Sequence, residues 1–195
     1  MIKTEKIFKD NNEYFEVTMD DKVYDLPFKV LGGKKVAFLD ISGQVSLVET
    51  TSKLLVDKII ALNLEFDTIL NPVSKSNALA HAIAVNYSKK TGKNIDYTVV
   101  ARKNLSDTKV SATYHSVTTK DEQLMSLSDD DAEYIKGKKV LLVDDVYGAG
   151  GTTNALKSLC EKAQAQIVGH ALIAVEKGSI LPEGLIYLFE LPLAE

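Results

Sequence analysis

Two consecutive carboxylates, Asp144 and Asp145, close the apolar run of residues 140–143. Val146 and Tyr147 follow, then the loop Gly148-Ala-Gly-Gly-Thr-Thr153, and then a segment with Leu156, Leu159, Cys160 and Ala163 at helical spacing. The pattern reads as a buried strand, a glycine-rich turn and a helix. Glycines let backbone amides turn toward a ligand, and the helix start adds a partial positive charge, so the loop suits a phosphate. Carboxylates beside a phosphate would repel it unless they serve sugar hydroxyls or a magnesium ion. The chemistry asked for is the binding of a phosphorylated sugar.

Two other nucleotide-binding patterns can be excluded by inspection. A P-loop needs Gly-x-x-x-x-Gly-Lys-Ser/Thr, and Gly32-Gly33-Lys34-Lys35 lacks the spacing. No Gly-x-Gly-x-x-Gly follows a strand, so a dinucleotide site has no support. Nor is there a Gly-x-Ser-x-Gly elbow or a Cys-His pair for covalent hydrolysis.

Open α/β sheets bind ligands at the carboxyl ends of their strands. Ser74, Lys75 and Ser76 follow a short apolar run ending at Asn71-Pro72 and make a second candidate anion loop, although Ser76 or Asn77 could equally be a helix cap. Arg102 and Lys103 follow the strand pattern of residues 97–101, where two cations suit a diphosphate. Glu176 and Lys177 follow another strand pattern, residues 167–175. Asp129-Asp130-Asp131 reads as acids opening a short helix rather than as a metal cluster. His81 and His170 read as structural, and His115 is the histidine to test.

These residues need a scaffold. Residues 1–30 alternate locally, as in Glu13-Tyr-Phe-Glu-Val-Thr-Met19, and suggest short antiparallel strands. Residues 35–41 read as a strand, and Ser46-Leu-Val-Glu49 as a capping box opening a helix. From residue 35 strands and helices alternate, down to a last strand at 185–189, which calls for a parallel, helix-covered sheet. Residues 103–137 break this rhythm with a polar insertion too long for an ordinary connection, expected to be a flexible hairpin. The expected organisation is one domain over 1–195, with an N-terminal arm or hood at 1–34 and a core at 35–193.

At 195 residues the chain can bury a sizeable core. A net charge of −4 argues against a general affinity for nucleic acid. The single cysteine, Cys160, cannot form an internal disulfide and sits on an apolar face. The first ten residues carry no apolar core and no run is long enough to span a membrane, so a cytoplasmic protein with no membrane partner is expected.

Hydrophobic-Asp-Asp followed by small-Gly-Gly-Thr resembles the 5-phosphoribosyl-1-diphosphate (PRPP) motif of type I phosphoribosyltransferases. Ala149 stands where that motif has Thr or Ser. The Arg102-Lys103 pair and the closing Leu185-Ile-Tyr-Leu-Phe-Glu-Leu-Pro-Leu193 resemble the adenine and xanthine branch. The resemblance implies a type I phosphoribosyltransferase fold: an open, mainly parallel sheet flanked by helices, with a small hood and a long flexible hairpin. It implies a magnesium-dependent pentosyltransferase of purine salvage, with PRPP and a purine base as partners, adenine before xanthine. Asp144 and Asp145 would be the catalytic and metal-holding acids. Gly148, Ala149, Gly150, Gly151, Thr152, Thr153, Arg102, Lys103, Ser74 and Lys75 would bind PRPP, and Val146 and Lys177 the base. A homodimer is the expected assembly. Adenine enzymes carry a Tyr-x-Leu-Glu-Tyr-Gly-like segment, whereas here Tyr114 is followed by His115-Ser-Val-Thr, and Ser116-Val-Thr-Thr-Lys120 is nearer to xanthine enzymes. The alternative is a non-catalytic, PRPP-binding regulatory protein of the same fold.

Overall fold

The computed structural model describes residues 2–31, 33–103, 108–115 and 122–194. The chain opens with β1 (Lys3–Lys9), β2 (Asn12–Met19), β3 (Lys22–Leu31) and β4 (Lys34–Ala37). Asp10-Asn11 and Asp20-Asp21 each take positive φ, at 49° and 60° and at 47° and 62°. Two successive residues in that region make the tight turn whose twist matches an antiparallel pair. Short Asp and Asn side chains tolerate this conformation better than most. The inner face of this sheet buries Phe15, Val17, Met19 and Leu26, and the Phe15 ring lies 6.5 Å from that of Phe189 near the other end of the chain.

The strand expected at 35–41 is shorter and lies elsewhere. Lys34–Ala37 pairs antiparallel with β3 and with β13 (Leu193–Ala194), not with the parallel sheet. Gly33, at φ 79°, reverses the chain so that Leu31 pairs with Lys34. The β/α alternation therefore starts at α1 (Val45–Ala61). The expected capping box is also corrected, because Gln44 holds the N-cap position and no side chain caps α1. Ser46 falls inside the first turn, with its hydroxyl 3.2 Å from both Lys22 Nζ and the Tyr24 hydroxyl.

Alternation then proceeds through β5 (Thr68–Pro72), α2 (Asn77–Thr91) and β6 (Thr98–Lys103). The long insertion folds as β7 (Val110–His115), β8 (Glu122–Leu127) and α3 (Asp129–Ile135). After it come β9 (Lys139–Tyr147), α4 (Gly151–Lys162), β10 (Gln166–Glu176), β11 (Leu185–Ile186) and β12 (Phe189–Leu191). The strand order is β11-β10-β9-β5-β6-β8-β7, with β12 also on β10. Every pairing from β11 to β6 is parallel, and the β7–β8 hairpin adds antiparallel to β6. The expected open, mainly parallel sheet is thus present as a mixed one: a parallel centre flanked by helices, extended by a hairpin. The last expected strand divides into β11 and β12, both on β10.

The apolar run of β9 is buried on both faces. Leu141 and Val143 join α1, α2 and the N-terminal sheet, while Val140 and Leu142 join α3, α4 and the hairpin. A central parallel strand has no polar face, which is why it reads as a continuous hydrophobic run. Truncating Leu141 or Leu142 to alanine would cost about 2–5 kcal/mol. No described helix is long and apolar enough to cross a membrane.

Candidate functional site

Four parallel strands, β5, β6, β9 and β10, end at one cleft of about 400 Å³. β9 delivers Asp144 and Asp145 to its floor. Asp144 is buried, at 8% exposure, and its Oδ1 accepts the Ser76 hydroxyl at 2.6 Å and the Asp145 amide at 2.9 Å. Asp145 Oδ1 accepts the Val146 amide at 2.9 Å. Burial, reinforced by the neighbouring Asp145 charge, pushes the Asp144 carboxyl from its ordinary 3.8 up to about 8. Burial also raises Asp145, with Lys75 pulling the other way. Two carboxylates held so close disfavour double ionisation until something cationic or hydrogen-bonding meets them.

Past β9 the chain turns through Gly148, Ala149 and Gly150 into α4. Gly150 sits at φ 83°, and a Cβ there would lie 2.8 Å from the Tyr147 hydroxyl. A Cβ on Gly148 would lie 2.8 Å from Glu176 Oε2. The positive φ at Gly150 disfavours any larger residue there, whereas a larger residue at Gly148 would require the Glu176 side chain to shift. No side chain caps α4, and its first turn holds no acid, so the amides that open the helix are available to an anion. Thr153 is buried under the loop and Thr152 borders the cleft.

Across the cleft, the loop after β5 is tied down where the Val73 amide donates to the Ala101 carbonyl at 2.9 Å. Exposed Ser74 and Lys75 follow, before buried Ser76. The Lys75 ammonium lies 5.0 Å from the centre of the Phe38 ring, which brings the loop after β4 toward the cleft mouth.

Of the residues singled out from sequence, the cleft brings together Ser74, Lys75, Lys103, Asp144, Asp145, Val146 and the loop from Gly148 to Thr153. Arg102 and Lys177 do not line it. β6 continues through residue 103, so alternation sends its two cations to opposite faces. Arg102 turns to Asp131 of α3, Nη2 to Oδ2 at 4.0 Å, while Lys103 lines the cleft. Lys177 is exposed beyond β10, with its amide on the Leu191 carbonyl at 2.9 Å. Ser116-Val-Thr-Thr-Lys120 and the His115 side chain lie outside the described residues.

Sequence reasoning undervalued Ser76, which holds Asp144, and Glu176, which lines the cleft in place of Lys177. Tyr147, and Tyr114 and Met125 from the hairpin, also line it. Strand alternation along β10 was the available signal for Glu176; nothing local pairs Ser76 with a residue 68 positions later. His81 is exposed, and His170 is buried with both ring nitrogens unpartnered among the described residues. Burial pushes His170 down to about 3 and the Cys160 thiol up to about 12, so both are neutral at pH 7.

Among the described residues no group of three or more His, Cys, Asp or Glu side chains could cage a metal. Magnesium is commonly held by one or two carboxylates together with substrate phosphates. The oxygen-only pair Asp144 and Asp145 fits an ion shared with a diphosphate and does not fit a protein-only metal site.

The family model described as the phosphoribosyl transferase domain matches residues 46–184. The purine biosynthesis transcriptional repressor PurR of Bacillus subtilis is 28% identical over 154 residues, 78% of this chain and 50% of the repressor. Orotate phosphoribosyltransferase of Schizosaccharomyces pombe is 29% identical over 127 residues, 65% of this chain and 51% of the enzyme. The chain thus spans about half the length of these curated relatives. The crystal structure of adenine phosphoribosyltransferase from Rhodothermus marinus superposes with a TM-score of 0.60 at 19% identity. That match covers 77% of this chain and 82% of the other, and shows a shared fold.

Proposed function

Because the chain belongs to the phosphoribosyl transferase domain family, we propose that it transfers the phosphoribosyl group of PRPP to a purine base. Adenine is the first choice and xanthine the second, and the products are diphosphate and a nucleoside monophosphate. The observation that best supports this reading is the placement of the two raised carboxylates between an uncapped helix start and two lysines. The amides of Gly150 to Thr153 bind the 5′-phosphate. Asp144 and Asp145 accept from the ribose 2′- and 3′-hydroxyls, and they are the residues that would hold magnesium. Bound there, the ion would offset charge on the diphosphate. Lys75 and Lys103 draw the diphosphate away from the ribose as it departs. No side chain need attack, and the acceleration comes from positioning and from charge stabilisation.

The test is to incubate the protein with PRPP, magnesium and each of adenine, guanine, hypoxanthine, xanthine, uracil and orotate, following diphosphate release. A purine is expected to lead; orotate or uracil leading would refute the purine assignment. The match to a transcriptional repressor favours one second reading, a PRPP-binding regulator. PRPP binding without turnover of any base would establish that reading instead.

A further inference from the structure

We propose that Glu176 reads the incoming base and selects an aminopurine, adenine or guanine, against orotate and against xanthine, which it removes as the second choice; this rests on the phosphoribosyl-transfer reading above. Its starting point is strand order. β10, β9, β5 and β6 are successive neighbours, and their carboxyl ends carry Glu176, the acid pair, the Ser74-Lys75 loop and Lys103. With the ribose over β9, both lysines that face the diphosphate lie on the β5–β6 side. A base that displaces diphosphate from C1′ enters opposite the leaving group, and so lies over the β10 side. Glu176 is the residue of β10 that lines the cleft there.

Val146, paired with Ala174 of β10, also lines the cleft and offers the ring an apolar surface. Glu176 itself is half-buried, with its carboxylate against Gly148. Among the described residues no hydrogen bond or ion pair engages that carboxylate. A part-buried carboxylate in a cleft that must also take anions is stabilised only by a donor. An exocyclic amino group supplies one. Adenine offers its 6-amino group, and guanine the adjacent N1–H and 2-amino donors. Xanthine flanks its N1–H with two carbonyl oxygens, so a carboxylate that takes this hydrogen sets its other oxygen against an acceptor, and orotate brings a second carboxylate. A polar site discriminates strongly when the wrong ligand leaves its groups unpaired.

Calorimetry with the product nucleotides tests this without turnover. Adenosine, guanosine, xanthosine and orotidine 5′-monophosphates are titrated into wild type, Glu176→Gln and Glu176→Lys, with ribose 5-phosphate as the base-free control. Wild type should bind an aminopurine nucleotide at least about tenfold more tightly than the xanthosine and orotidine nucleotides. Glu176→Gln should narrow that ratio severalfold and Glu176→Lys should invert it, while ribose 5-phosphate affinity stays within about twofold. An unchanged ranking in Glu176→Gln overturns the proposal. A parallel loss of ribose 5-phosphate in that variant also overturns it, assigning Glu176 to the shape of the Gly148 turn. If ribose 5-phosphate does not bind wild type, the phosphoribosyl reading falls and takes this one with it.

Discussion

Asp129-Asp130-Asp131 and Asp144-Asp145 are both runs of acids with one member buried, and the molecule treats them in opposite ways. Asp131, at 3% exposure, is satisfied from within. It accepts the Tyr97 hydroxyl at 2.8 Å and the Ser128 hydroxyl at 2.7 Å, and its amide donates back to Ser128 at 3.1 Å. Its helix start favours negative charge. At the end of β9, by contrast, burial is the dominant influence on both carboxyls and lifts their affinity for protons. An acid cluster that its own fold neutralises is architecture. One left short of positive charge and donors is poised for a ligand.

The largest test of that contrast is to neutralise the second cluster. Asp144→Asn/Asp145→Asn should weaken PRPP binding in the presence of magnesium by about 100-fold, equivalent to about 2.7 kcal/mol. Calorimetry at fixed salt measures it. Equal affinity in both proteins would remove the acids from the site.

Next in size is the pH dependence of the ligand-free protein. The folded-state value of Asp144 lies above its unfolded value, so the folded state binds this proton more tightly. The resulting stabilisation is complete below about 3.8 and is lost as the pH climbs to about 8. Denaturant midpoints taken from pH 4 to pH 8 should fall in wild type and fall less in Asp144→Asn. Parallel curves for the two proteins would show that the pair is not under the tension inferred for it.

Asp131→Asn should do the reverse of the cleft substitution. The amide cannot accept on both sides as the carboxylate does, so a loss of about 1–3 kcal/mol in stability is expected. PRPP affinity should stay within about twofold. A tenfold loss of affinity would instead make Asp131 a positioning residue, acting through Arg102 on the strand that carries Lys103.

Those two clusters also mark how far the sequence could be read. The helix-opening role of Asp129 to Asp131 and the strand-acid-glycine order at 140–153 are local patterns, fixed by neighbours a few residues apart. The parallel sheet was legible for the same reason, through alternating strand and helix periods. What was not legible depends on pairing across the chain. Lys34–Ala37 has strand character, but only Gly33 and the pairing with β13 place it in the antiparallel sheet. Arg102 and Lys103 read as a pair of cations beyond a strand; extending β6 by two residues, to meet β8, separates them onto opposite faces. At the end of β10 the cleft takes the strand's last residue, Glu176, and leaves Lys177 beyond it.

The smallest effect belongs to Asp130, which is exposed in the first turn of α3. Its contribution is the favourable interaction of a negative charge with the positive end of a helix, about 0.3–1 kcal/mol at low ionic strength. Asp130→Asn keeps the shape and nearly the helix propensity, so the charge is what changes. Because α3 spans seven residues, its field is that of a short helix and the loss should lie at the lower end of that range. Screening sharpens the test: at 1 M salt the Debye length falls to about 3 Å, and an exposed charge then feels little of the helix end. Wild type and Asp130→Asn should therefore differ slightly in denaturant midpoint at low salt and converge at high salt. A difference that survives high salt would place the effect in a side-chain contact rather than in the helix field, and Asp130 would then join Asp131 as a bonded part of the turn.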